Sequence, residues 1–178
     1  MSGGASGGTI ASLTETLKAI AKKPSLALLL KSSFALTPGF EGPSQPTGLV
    51  PEYDPATGAW TAPFVMAPIN TKNVHRTNYL LGHAWGEDLV YDEMLVTTIG
   101  DAGKAMAEAI AKANPFGESK LQPGEGPSKE EREKGFYDVL FVGEYPDGTT
   151  VRASVKGDRD PGYGSTSKML AETGIALL

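Results

Sequence analysis

The 178-residue chain contains no cysteine. Disulfides, thiolate zinc sites and a cysteine nucleophile are therefore excluded. Histidine is scarce too: His75 and His83 leave little room for a histidine-rich metal site. Long apolar runs are missing. The longest unbroken one is Leu26 to Leu30, against the ~20 residues a membrane span requires, so no transmembrane segment is expected. No basic stretch followed by a long apolar one opens the chain, so a signal peptide is not indicated and the expected compartment is cytoplasmic. Positive charge is in deficit: 16 Lys and Arg against 21 Asp and Glu leave −5. That argues against a nucleic-acid partner, which needs a basic footprint. Turn formers are abundant instead, with 22 glycines and 13 prolines, which argues against an all-helical bundle.

Ile10, Leu13, Leu17 and Ile20 recur at helical spacing and predict a helix over 9–23, capped by Ser6 or Thr9. The glycines before it are either a flexible lead-in or a source of N–H groups for an anion. Ser25 can cap a short helix through Lys31. Residues 37–61 carry Pro38, Pro43, Pro46, Pro51 and Pro55 and read as a long loop, draped over a surface by Phe40, Tyr53 and Trp60. Residues 62–70 read as extended chain. A helix follows from Asn70 or Thr71 to Leu81, with Gly82 as its C-terminal stop. Alternation predicts a strand over 88–98, with Leu89, Tyr91 and Glu93 on one face. An alanine-rich helix over 101–114 has side chains small enough for close approach to a neighbour. Residues 115–129 read as an exposed loop.

Ser128 and Glu131 form a capping box for a helix over 129–134. Residues 136–145 and 149–156, joined by Pro146-Asp147-Gly148, predict an antiparallel hairpin with Val151, Ala153 and Val155 on its core face. A last helix runs from Ser165 to the end. Together these elements predict an α+β fold, with a mixed or antiparallel sheet and a C-terminal hairpin packed by helices. The whole of 1–178 is read as a single domain.

Two clusters carry candidate chemistry. On the central helix, His75, Arg76 and Asn78 are either a solvated polar face or a substrate-facing group, with Arg76 as partner for a carboxylate or phosphate. At the start of the last helix stand Asp158, Arg159, Asp160 and Tyr163, around either an ordinary turn and cap or an anion site. Asp158 and Asp160 as metal ligands of a hydrolase are weakly supported, because turns commonly contain such residues.

Four segments, in shared order and spacing, resemble one family. They are Ser6-Gly-Gly-Thr-Ile-Ala-Ser12; Trp60-Thr-Ala-Pro-Phe-Val-Met66; Ile69-Asn-Thr71 with His75, Arg76 and Asn78; and Gly157-Asp-Arg-Asp-Pro-Gly-Tyr-Gly-Ser-Thr166 with Met169 and Glu172. The chain resembles the carboxy-terminal region of saccharopine dehydrogenase-like oxidoreductases, in particular the trans-acting enoyl reductase branch. Arginine is sparse at Arg76, Arg132, Arg152 and Arg159. That favours this branch over a true saccharopine enzyme, whose polycarboxylate substrate calls for several arginines.

The resemblance implies an amino-terminal Rossmann domain that binds NAD(P). No G-x-G-x-x-G follows a strand here, and Gly3-Gly-Ala-Ser-Gly-Gly8 lacks that context. The chain therefore looks like a substrate-binding and dimerisation half, inactive alone and binding no cofactor or metal by itself. Its implied partners are a Rossmann cofactor domain and a second copy of the chain. The resemblance implies Asn70, Arg76, Asn78, Tyr163 and Thr166 as substrate-binding candidates, with Tyr163 and His75 as acid–base candidates. The implied substrates are enoyl thioesters of lipid or polyketide type. The alternative is a binding or assembly module that keeps the fold without chemistry.

Overall fold

The structure is a computed structural model that describes residues 6–113 and 122–178. They form six helices and five strands: α1 (Gly7–Lys22), α2 (Leu26–Lys31), β1 (Glu52–Asp54), β2 (Ala59–Pro63), α3 (Ala67–Leu80), β3 (Met94–Val96), α4 (Gly100–Lys112), α5 (Lys129–Lys134), β4 (Tyr137–Glu144), β5 (Thr150–Gly157) and α6 (Gly164–Ala176). The architecture is α+β, and both sheets are antiparallel. One compact unit is Glu15–Pro115; the other is Met1–Thr14 with Phe116–Leu178.

In the first unit β2 lies between β1 and β3. Tyr53 faces Trp60 across β1 and β2, and Ala62 faces Leu95 across β2 and β3. Helix α4 packs on β2 through small side chains. Ala62 and Ala107 are fully buried, and Ala59 and Thr61 nearly so. No large side chain is fully buried among the described residues. The most buried positions of this core are thus small residues rather than large apolar ones. Thr97 closes it, its hydroxyl donating to the carbonyls of Trp60 and Gly103 at 2.8 and 3.0 Å.

Three sequence expectations are corrected here. The stretch 37–61 is not wholly loop: it holds β1 and the start of β2. Strand β1 pairs with β2 and β2 with β3, a tertiary choice that local pattern does not announce. The strand expected over 88–98 shrinks to β3. Upstream of it the Gln45 side chain takes the ladder's place, donating to the Leu89 carbonyl at 3.1 Å and accepting from the Tyr91 N–H at 2.9 Å. The central helix starts earlier than Asn70, at Ala67, because Pro68 stands in its first turn, where a missing N–H costs nothing.

In the second unit α5 has the expected bounds, with its reciprocal Ser128–Glu131 capping box in place. The hairpin pairs Val139 with Val155 and Phe141 with Ala153. Strand alternation therefore gathers Tyr137, Val139, Phe141, Val151, Ala153 and Val155 on one face. That face is not sealed by helices as expected. Val139, Phe141, Val151 and Val155 remain 40–51% exposed. The expected loop over 115–129 falls partly outside the described residues.

Candidate functional site

The sequence candidates fall in both units, and each set is described in its own. Helix α3 carries Asn70, His75, Arg76 and Asn78. Its face at Lys72, His75, Arg76 and Tyr79, spaced three and four apart, holds the segment 30–40. Lys72 Nζ donates to the Leu30 carbonyl at 2.9 Å, an Arg76 guanidinium N–H to that of Leu36 at 3.0 Å, and the Tyr79 hydroxyl to that of Pro38 at 3.1 Å. Arg76 also lies 5.7 Å from the Tyr79 ring centre. Partial burial lowers the Lys72 pKa.

His75 is buried against Phe34, with ring centres 4.5 Å apart. Burial lowers its pKa, and its Nε2 has no hydrogen-bond partner. Phe40 extends this aromatic cluster to His83, 4.2 Å away. A neutral, enclosed imidazole of this kind is a packing group first.

Asn78, also buried, spends its amide on backbone. Its Nδ2 donates to the Gly86 carbonyl at 2.7 Å and its Oδ1 accepts from the Trp85 N–H at 2.9 Å. It thereby fastens the turn that ends α3. Asn70 instead reaches a carboxylate, donating to both Glu93 oxygens at 3.1 and 2.9 Å. The Tyr91 hydroxyl donates to the same carboxylate at 3.3 Å. Burial, the Glu93 charge and that hydrogen bond push the Tyr91 pKa up to about 12. Sequence reading placed Tyr91 and Glu93 on one face of an expected strand without naming either as a site residue. Both lie just ahead of β3, so the available signal was only a tyrosine and a glutamate two positions apart.

In the other unit the loop 157–164 leads into α6. Asp160 is buried and serves as the cap. Its carboxylate accepts from the N–H groups of Gly162 (3.2 Å), Tyr163 (2.7 Å) and Gly164 (2.9 Å). Burial pushes its pKa up, but these three N–H groups and the Arg132 charge outweigh burial and leave it below the usual range. Ser165 and Thr166, the caps expected from sequence, do other work: Ser165 Oγ donates to the Arg159 carbonyl and Thr166 to that of Pro161. The anion that the helix start favours is thus supplied by the chain itself. Tyr163 is 45% exposed. It is the one acid–base candidate from sequence with an accessible ring.

No group of three or more metal-ligating side chains occurs among the described residues. No described helix is long and apolar enough to cross a membrane.

These residues lie in a chain with clear relatives. The chain is similar along nearly its whole length to trans-acting enoyl reductases. A protein of Mycobacterium tuberculosis provisionally named as one is 36% identical over 203 aligned positions, covering 98% of this chain and 48% of that protein. A trans-acting enoyl reductase of Mycobacterium ulcerans is 30% identical, covering 97% of this chain and 47% of its own length. One of Mycobacterium bovis is 28% identical with the same coverage. The chain therefore spans about half the length of the curated relatives it matches. No family model and no solved structure matches it.

The described residues do not form a dinucleotide seat of the Rossmann kind. A Rossmann fingerprint needs a parallel β-α-β crossover and free N–H groups at a glycine turn. Both described sheets are antiparallel. The Gly7 N–H is already donated to the Glu125 carbonyl at 3.0 Å. The backbone there is also crowded: a Cβ on Gly7 would fall 1.8 Å from the Gln122 carbonyl oxygen.

Proposed function

We propose that this chain is the substrate-binding and dimerisation half of an oxidoreductase of the saccharopine dehydrogenase-like kind, acting on enoyl thioesters of lipid or polyketide type. The nicotinamide cofactor, NAD or NADP, belongs to a Rossmann domain outside these residues. One observation carries the reading: the chain aligns end to end with proteins named as enoyl reductases while spanning about half of each. The antiparallel pairing of both described sheets, which leaves no Rossmann crossover among the described residues, supports it. So does the hairpin face of Val139, Phe141, Val151 and Val155, roughly half-exposed, which gives a second domain or a second copy an apolar surface to cover. Within its own unit Tyr163, 45% exposed, is the favoured proton donor.

A chimera tests this. The chain replaces the matching half of the Mycobacterium tuberculosis relative, and NADPH-dependent reduction of an enoyl thioester is followed. Retained reduction, with none from the chain alone, supports the proposal. A folded, nucleotide-binding chimera without reduction sinks it.

One observation favours a second reading, a non-catalytic assembly module. Arg76, Asn78 and Thr166 all direct their polar ends to backbone carbonyls. On this reading the chimera assembles normally, and substituting Tyr163 changes no rate.

A further inference from the structure

A cleft of about 480 Å³ lies between α5 and the first turns of α6, lined by Lys129, Arg132, Glu133, Arg159, Ser167 and Lys168, with the Gly164 backbone at its edge. Four cations thus meet one carboxylate, on a chain whose net charge is −5. Their charges are unevenly satisfied. Lys129 stands 3.8 Å from Glu133, and Arg132 donates to the Pro127 carbonyl while its charge favours ionised Asp160. Arg159 and Lys168 have no polar partner for their charged ends among the described residues.

The walls are fixed by backbone. The Asp160 N–H donates to the Arg132 carbonyl at 3.0 Å. A Cβ on Gly135 would fall 2.6 Å from the Asp160 backbone, and one on Gly164 would lie 3.1 Å from the Arg132 carbonyl oxygen. The end of α5 and the start of α6 are therefore joined through backbone, which brings the basic side chains of both to one cleft. The helix terminus is not the attraction, because Asp160 already occupies its N–H groups.

We propose that the cleft formed by Lys129, Arg132, Arg159 and Lys168 is a binding site for a phosphate group. Two guanidinium forks supply planar, paired donors, and two ammonium groups add charge. Ser167 supplies a hydroxyl at the rim. The phosphate arrives either as the free ion or as the ester of a larger ligand. The inference goes beyond the function proposed above and does not rest on it.

Amide shifts of the labelled chain are followed by NMR at low salt with inorganic phosphate, 4′-phosphopantetheine and pantetheine. Saturable shifts at residues 159–168 with inorganic phosphate are expected. Arg159→Gln and Lys168→Gln each weaken binding about tenfold, Arg159→Lys less. Lys134→Gln, an equal charge change outside the cleft, leaves binding unaltered. Tighter binding of 4′-phosphopantetheine than of phosphate assigns the ester as source; equal or weaker binding assigns the free ion. Three results would overturn the site: no saturable shift, pantetheine binding as well as its phosphate, or equal weakening by Lys134→Gln. Native amide dispersion in each variant separates lost binding from lost folding.

Discussion

The backbone N–H of Asp160 donates to the carbonyl of Arg132, 3.0 Å away. This one bond joins the end of α5 to the loop before α6, and the Asp160 carboxylate then caps α6. Removing the carboxylate leaves three N–H groups without their acceptor. Asp160→Ala is expected to cost about 2 kcal/mol, and Asp160→Asn less, because an amide oxygen still accepts. Urea unfolding followed by circular dichroism measures both. Equal stability of Asp160→Ala and the parent would contradict the capping role.

Asn78 makes a comparable demand in the other unit. Asn78→Leu strands the Trp85 N–H and the Gly86 carbonyl, at a cost of about 1–3 kcal/mol for each buried group left unpaired. A lower melting temperature is expected. A folded, equally stable Asn78→Leu chain would move Asn78 from structural clamp back to pure substrate contact.

Acid should loosen the protein in two steps. Burial favours neutral His75 in the folded chain, while the unfolded chain takes up that proton near the ordinary histidine value of about 6.5. The unfolded state then binds more protons, so stability is complete above that pH and falls as pH drops below it. Asp160 adds a second loss lower down. Its folded pKa is depressed, so its contribution is present above the ordinary aspartate value, about 3.9, and disappears as pH falls through the folded one. Urea midpoints measured from pH 7.5 to 5 should decline, and His75→Phe should flatten that decline. An unchanged slope in His75→Phe would remove His75 as the cause.

Much of the architecture was legible because its causes are local. The bounds of α5 follow from a capping box, and the hairpin from a Pro-Asp-Gly turn flanked by alternating residues. What stayed hidden was decided at a distance. The pairing of β1 with β2, the substitution of a Gln45 side chain for a strand ladder, and the meeting of Asn70 with Glu93 join residues whose own neighbourhoods do not announce it. The candidate residues were named without their partners. Thus Asn78 read as a recognition group although its amide is committed to the turn it fastens. Asp160 stood in the right cluster, but its role as the cap depends on the fold of the Pro161-Gly162 turn.

The small-residue contact between α4 and β2 gives a prediction of opposite character. Ala62 and Ala107 have no exposed surface, so Ala62→Leu must displace the groups packed around it. A loss of about 1–3 kcal/mol or more is expected, as in other overpacked cores, read as a lower urea midpoint. Ala62→Gly should cost less. The reverse order would mean the contact has room to spare.

The most direct test asks whether the purified chain, alone, takes up a nicotinamide nucleotide. Calorimetric titration with NADPH and with NADH is expected to show no stoichiometric binding, whereas the chimera with the remaining half of the relative binds one. Tight one-to-one uptake by the 178-residue chain without that half would contradict the account.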